Sequence, residues 1–165
     1  VEPGHVVQFI ICLADGREIG SVYFRDIDRE ACTAEYGIFI GEADALGCGY
    51  GSQTAKLALQ YAFETLRLRK VFLRFLEGNE GAHKSYENAG FQMMKDKQET
   101  VLLEQGERQV LFMEIDRETW LERQAGIDST ALSRRQNGDE YAKTCEFCDT
   151  LLSVRADDWQ GGRRN

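Results

Sequence analysis

A glycine-rich segment at residues 47–52 (GCGYGS) lies between an apolar, β-branched run and a stretch with helical spacing of apolar residues. Glycine lets main-chain N–H groups approach a ligand without an intervening Cβ. At the start of a helix those N–H groups lack partners and carry positive potential. The segment contains no lysine, and a diphosphate can bind such N–H groups without one. The pattern therefore predicts an anion-binding loop.

Three kinds of phosphate-binding loop compete for this segment. A Walker-type loop needs a lysine directly before the serine, where Gly51 stands. A dinucleotide-binding fingerprint needs a third glycine at position 52, where Ser52 stands. The third is the acyl-CoA loop of the GNAT superfamily of N-acetyltransferases, Gln/Arg-x-x-Gly-x-Gly/Ala. Residues 46–51 (LGCGYG) resemble it, with Gly49 and Gly51 in place and Leu46 where the family often has Gln or Arg.

A second segment strengthens this resemblance. Residues 79–91 (NEGAHKSYENAGF) resemble the GNAT pattern N-x-x-A-x-x-x-Y-E-x-x-G-F. Two spaced motifs in the correct order are more specific than either alone. The resemblance covers about residues 6–116. It implies a V-splayed sheet in which acetyl-CoA, as co-substrate, lies between the strand ending at Ile40 and the strand ending near Leu76.

The resemblance also implies roles for individual residues. Tyr86 is the candidate general acid, because a phenol can protonate a departing thiolate of comparable pKa. Glu35 is the candidate general base for the acceptor amine, directly or through water. Asn79 is expected both to cap its helix and to contact the cofactor. The full set of expected cofactor-binding residues is Phe39, Ile40, Leu46, Gly47, Cys48, Gly49, Tyr50, Gly51, Ser52 and Asn79.

The elements that must position these residues follow from hydrophobic periodicity. Residues 6–13 and 17–25 flank Asp15-Gly16 and predict a β-hairpin. Strands are predicted over 33–41 and 70–76, and a final antiparallel pair over 91–103 and 108–115. Helices are predicted from about 52 to 66 and from 79 to 90. The fold class is α/β (α+β), with a mixed, mostly antiparallel, GNAT-like sheet flanked by helices.

Composition limits the partners. The chain has 165 residues, 42% of them apolar, and a net charge of −8. An acidic chain disfavours nucleic-acid binding, because phosphate contacts need a basic surface. No apolar stretch is long enough for a membrane span, and no signal-peptide pattern is visible. Five cysteines at irregular spacing indicate reduced thiols in a cytoplasmic protein.

No metal site is expected, because the two histidines have no partners in the sequence and Cys145-x-x-Cys148 is a single CxxC pair. Residues 1–120 are interpreted as the acetyltransferase-like domain, without the first strand and two helices usual in the family. Residues 121–165 are interpreted as a C-terminal extension of unknown role, with a short helix starting near Asp128. A homodimer is left open.

The sequence therefore predicts an acetyl-CoA-dependent N-acetyltransferase acting directly on a primary amine, such as a polyamine, an amino sugar or a protein N-terminus. The alternative is a catalytically inactive CoA-binding or protein-interaction module.

Overall fold

The computed structural model describes residues 5–126, 140–144 and 151–156. Its eight strands form one sheet in the order β5-β6-β4-β3-β2-β1-β8-β7. The strands are β1 (His5–Cys12), β2 (Glu18–Asp28), β3 (Thr33–Ile40), β4 (Lys70–Leu76), β5 (Gln92–Leu103), β6 (Gly106–Asp116), β7 (Glu140–Thr144) and β8 (Leu151–Ala156). The described helices are α1 (Tyr50–Gln60), α2 (Glu80–Ala89) and α3 (Arg117–Gly126). The expected mixed, mostly antiparallel sheet flanked by helices is confirmed.

The sheet splays between β3 and β4. These strands are the parallel pair, and their pairing covers only the three residue pairs from Thr33↔Lys70 to Glu35↔Phe72. Beyond Glu35, β3 runs on to Ile40 beside β2, while β4 runs on to Leu76 beside β6. The two strands therefore separate, and the edge of β3 after Glu35 is not paired with β4.

The core lies between one face of the sheet and the helices. Cross-strand register places Phe24 opposite Tyr36 and Leu73 opposite Met113, and all four are buried. The aromatic contacts that join a helix or its C-terminal turn to a strand all involve residues of this face, such as Phe9 against Tyr61. We call this the helix-bearing face. Burial of these apolar side chains is the main stabilising term of the fold.

The opposite face of the sheet differs in character. Alternation along each strand turns Tyr23, Arg25, Glu35 and Arg74 to this side. We call it the open face. The open face carries charged and aromatic groups close to the splay. The part of the helix-bearing face that lies behind them is apolar.

Two local expectations are corrected. The helix predicted over 52–66 begins at Tyr50 and changes to a π-helical turn over Tyr61–Thr65, where Leu66 N donates to Tyr61 O at 3.0 Å. Helix α3 was not predicted; the Asp116 side chain accepts a 2.7 Å hydrogen bond from Thr119 N near its start. The C-terminal extension, whose role was left open, adds two strands to the sheet, because β8 pairs with β1 and β7 pairs with β8. The helix predicted near Asp128 lies outside the described residues.

No helix in the described ranges has the length and apolar character that crossing a bilayer requires.

Candidate functional site

The predicted anion-binding loop lies at the N-terminus of α1. Gly49 is the N-cap residue, with φ 81° in the left-handed region that suits glycine. The first helical hydrogen bond runs from Gln53 N to Gly49 O at 3.1 Å. Among the described residues, none accepts a hydrogen bond from the main-chain N–H groups of residues 49–52. These groups are therefore free to bind an anion.

Neighbouring contacts fix the position of this loop. A 3₁₀ turn (Ala43–Ala45) joins it to β3, and Asp44 forms a 2.9 Å ion pair with Arg17 of the β1–β2 turn. A Cβ on Gly51 would lie 2.8 Å from Ser85 Oγ, so α1 approaches α2 closely at this point. Ser52 Oγ lies 3.4 Å from Ser85 Oγ.

The predicted loop residues thus lie together, next to the end of β3. Leu46 and Cys48 are exposed, and Tyr50, Gly51 and Ser52 form the first turn of α1.

The splay also exposes main-chain groups of β3. Gly41 N donates to Ile19 O at 2.9 Å, and this bond shows which residues of β3 direct their main-chain groups toward β2. By that alternation the N–H and C=O groups of Phe39 point to β2, and those of Ile38 and Ile40 point into the splay. The Phe39 side chain is 65% exposed on the open face. Main-chain pairing with a ligand is thus available at Ile38 and Ile40, and Phe39 can contribute only its side chain.

Tyr86 lies on α2 and reaches the sheet beside the splay. Its ring packs against Tyr36, Phe75 and Phe91, with centroid distances of 6.3, 5.8 and 6.1 Å. Burial, and then the neighbouring phenol of Tyr23, raise the pKa of Tyr86 above its ordinary value. Its phenol is therefore protonated at neutral pH, as a proton donor must be.

Three further observations concern the surroundings of Tyr86. Asn79 caps α2, because its side-chain oxygen accepts a 3.3 Å hydrogen bond from Ala82 N. The helix ends at Gly90, whose N–H and that of Phe91 both donate to Tyr86 O. The Tyr36 hydroxyl is buried beside this helix with no hydrogen-bond partner among the described residues, and burial raises the pKa of Tyr36 well above its ordinary value.

Glu35 lies where the splay begins and is almost fully buried, at 3% exposure. Arg25 donates to its two oxygens at 3.0 and 2.9 Å, and Arg74 donates at 2.7 and 3.3 Å. Burial raises the pKa of Glu35, but the hydrogen bonds and charges of both arginines outweigh burial and hold the pKa below its ordinary value. A carboxylate held in this way is a weak base, so the geometry favours a role in joining β2, β3 and β4 over the predicted role of general base.

We expect Glu35→Gln to lower the free energy of unfolding by about 2 kcal/mol at pH 7, because two arginines lose a charged partner. The pKa of Glu35 is lower in the folded than in the unfolded chain. Its contribution is therefore present above the unfolded value of about 4.3 and is lost as pH falls through the folded value. Urea unfolding of both proteins from pH 3 to 8 measures this difference.

In this test the gap between wild type and Glu35→Gln should shrink below about pH 4.5. The exposed Glu107, changed to Gln, is the matched control and should alter stability by less than about 0.5 kcal/mol. A gap that stays constant down to pH 3 would contradict the ionised Glu35 bridge.

Sequence reasoning missed Tyr23. It stands opposite Gly37 on β3, and a Cβ on Gly37 would lie 2.1 Å from the Tyr23 ring. The ring therefore lies flat over Gly37 beside the splay, with the Arg25 guanidinium 5.9 Å from its centroid. An aromatic residue facing a glycine across two strands was the signal available in the sequence, but it required the β2–β3 register.

Within the described part of the chain, no group of three or more His, Cys, Asp or Glu residues is arranged to hold a metal ion. Cys145 and Cys148 lie outside the described residues.

Three solved structures of one N-acetyltransferase are similar to this chain. Spermidine N-acetyltransferase SpeG from Vibrio cholerae, in a mutant form, is 26% identical, with a TM-score of 0.65 over 71% of this chain and 69% of that chain. The same enzyme in complex with CoA and spermine is 27% identical, with a TM-score of 0.64 over 69% and 67% of the two chains. Its dodecameric structure in an intermediate state is 28% identical, with a TM-score of 0.64 over 70% and 67%.

Comparison with the curated proteins gave no match. A family model described as an acetyltransferase (GNAT) domain matches residues 1–92. That range holds β1 to β4, the loop before α1, and α2 with Tyr86. The free N–H groups of the loop and the splayed parallel pair lie within the matched part. The chain belongs to the GNAT family of acetyltransferases and is an N-acetyltransferase.

Proposed function

We propose that the protein transfers an acetyl group from acetyl-CoA directly to a primary amine. The observation that carries this proposal is the set of unbonded N–H groups at residues 49–52, at the N-terminus of the helix that follows β3. A helix N-terminus with free N–H groups suits a diphosphate. The SpeG structure solved with CoA and spermine supports the same ligand class for this chain.

Main-chain groups of β3 support this proposal. The main-chain groups of Ile38 and Ile40 can pair with the amides of an extended arm, as an added strand would. Such an arm runs along β3 from the loop toward Tyr86. Acetyl-CoA, when bound, supplies the acetyl group as a reactive thioester.

Tyr86 then has the role of general acid. Attack of the amine nitrogen forms a C–N bond to the acetyl carbon and breaks the C–S bond. The Tyr86 phenol donates its proton to the departing sulfur, the amine loses one proton to solvent, and the Tyr86 phenolate regains a proton from solvent. Holding both substrates in the splay supplies much of the rate by proximity. The paired state of Glu35 is consistent with proton loss to water instead of to this carboxylate.

The test is release of the CoA thiol, measured with acetyl-CoA and a panel of amines: a polyamine, an amino sugar, amino acids and short peptides. We expect amine-dependent thiol release and an acetylated amine detected by mass spectrometry. Calorimetry with CoA alone accompanies it. Tight CoA binding without turnover on any amine would overturn the transferase proposal in favour of an inactive CoA-binding module. Failure to bind CoA would overturn both.

A further inference from the structure

The open face beside the splay is the side from which a second substrate can reach the thioester, because the buried residues of α1 and the ring of Tyr86 on α2 pack on the other face. At this point the open face presents Arg25, Glu35 and Arg74 as one hydrogen-bonded group. Two guanidinium charges face one carboxylate, so the group carries one net positive charge. Any acceptor that enters here meets that charge.

The arginines are positioned to bind an anion as well as Glu35. Each uses Nε and Nη2 for the carboxylate, and no hydrogen bond to a described residue involves either Nη1. Their side chains remain 39% and 44% exposed. The buried Glu35 carboxylate holds both guanidinium groups in place, which lowers the entropy cost of binding a second anion.

Other charged groups of the open face do not reverse this balance. Lys70 and Glu114 pair with each other at 3.2 Å. Lys97 adds a positive charge over the rings of Phe72 and Phe112. Asp26, next to Arg25 on β2, and Glu99, opposite Val110, each add one exposed negative charge, and Arg108 adds one exposed positive charge. The chain as a whole carries −8, so the splay is locally far less acidic than the chain around it.

We infer that the acceptor is a primary amine that also carries a carboxylate, as in an amino acid or a short peptide, with its carboxylate at Arg25 and Arg74. This inference rests on the proposed acetyl transfer. A polyamine has only positive charges and would be repelled by the same group. One unit charge near the surface changes binding by about tenfold at contact distances.

The first test uses the wild-type protein. A series of ω-amino acids from glycine to 6-aminohexanoate is compared with the matching amides and with spermidine, at 20 and 300 mM NaCl. We expect the best amino acid to exceed its amide and spermidine in kcat/KM by about tenfold at low salt, and by less at high salt because the charge is screened. An amide or spermidine that serves equally well or better overturns the inference.

Variants of the two arginines test whether they cause the preference for an acceptor with a carboxylate. Arg74→Gln and Arg25→Gln should each raise KM for the amino acid by about tenfold, with little change in KM for the amide. Arg69→Gln makes the same charge change at an exposed residue just before β4 and should leave both values unchanged. Equal losses for acid and amide would mean that the arginines only support the fold, and would contradict the inference. If either variant does not fold, the wild-type comparison alone decides.

A binding measurement separates this inference from the proposed function. Arginine Nε–H signals are followed by NMR during titration with 6-aminohexanoate and with its amide, in the presence of CoA. Shifts of the Arg25 and Arg74 signals with the acid alone support the inference even where no amine is turned over. Absence of turnover overturns the acetyl transfer, and shifts with the acid then still show a carboxylate-binding site at these two arginines. Unchanged signals with the acid overturn the acceptor assignment.

Discussion

Replacement of Tyr86 by phenylalanine should lower kcat by about 10²- to 10³-fold, while the Kd for CoA changes by less than about twofold. The ring packs between Tyr36, Phe75 and Phe91, and phenylalanine retains these contacts. The proton that Tyr86 would give to the departing thiolate is lost. Steady-state thiol release and calorimetry with CoA measure the two quantities on the same preparation.

A second tyrosine provides the matched control. Tyr61 packs against Phe9 at 4.7 Å in the π-helical turn that follows α1. Tyr61→Phe removes a hydroxyl of the same kind at a distance from the splay and should leave kcat within about twofold. A Tyr86→Phe protein that turns over at the wild-type rate would exclude the phenol as the acid. Loss of CoA affinity would show that Tyr86 serves packing alone.

Replacement of Gly49 by alanine should raise the Kd for CoA by at least about tenfold. Gly49 has φ 81°, where an L-residue costs about 1–2 kcal/mol. A change in the path of residues 47–52 would relieve this backbone strain. It would also move their main-chain N–H groups from the positions in which they are proposed to bind the diphosphate. Calorimetry with CoA measures the loss, and thermal unfolding measures the accompanying strain.

Gly16 separates these two effects. It has φ 87° in the turn between β1 and β2, and a Cβ there meets nothing within 4 Å, as is also true at Gly49. Gly16→Ala should therefore show the same loss of stability with unchanged CoA affinity. If both variants bind CoA as the wild type does, the main-chain amides of this loop do not hold the diphosphate, and the proposed function loses its principal support.

The loop and α2 could be predicted from sequence because their information is local. Glycines at 47, 49 and 51 and the Asn79-to-Gly90 pattern specify a turn, a cap and a stop over short spans. The hairpin with Asp15-Gly16 is local in the same way, and Leu13 N indeed donates to Arg17 O at 2.9 Å. The predicted roles of these residues in binding the cofactor remain predictions.

The Arg25–Glu35–Arg74 group could not be predicted in that way. Alternation identifies the face of each residue within its own strand, but the contact needs the β2–β3 register and the parallel β3–β4 pairing together. Arg74 is 39 residues from Glu35. The role of general base predicted for Glu35 was therefore inferred without knowledge of these partners, and the lowered pKa of Glu35 is a property of the assembled sheet.

Pairing of β8 with β1 has a consequence for the behaviour of shortened chains. Residues Phe9 to Cys12 meet Ala156 to Ser153 along that ladder, and β1 contains the apolar run VVQFII. A chain ending at residue 126 would leave the outer main-chain groups of this strand without partners. Such an edge offers a template for another copy of itself, so we expect a chain shortened in this way to self-associate more readily than one in which β8 covers β1.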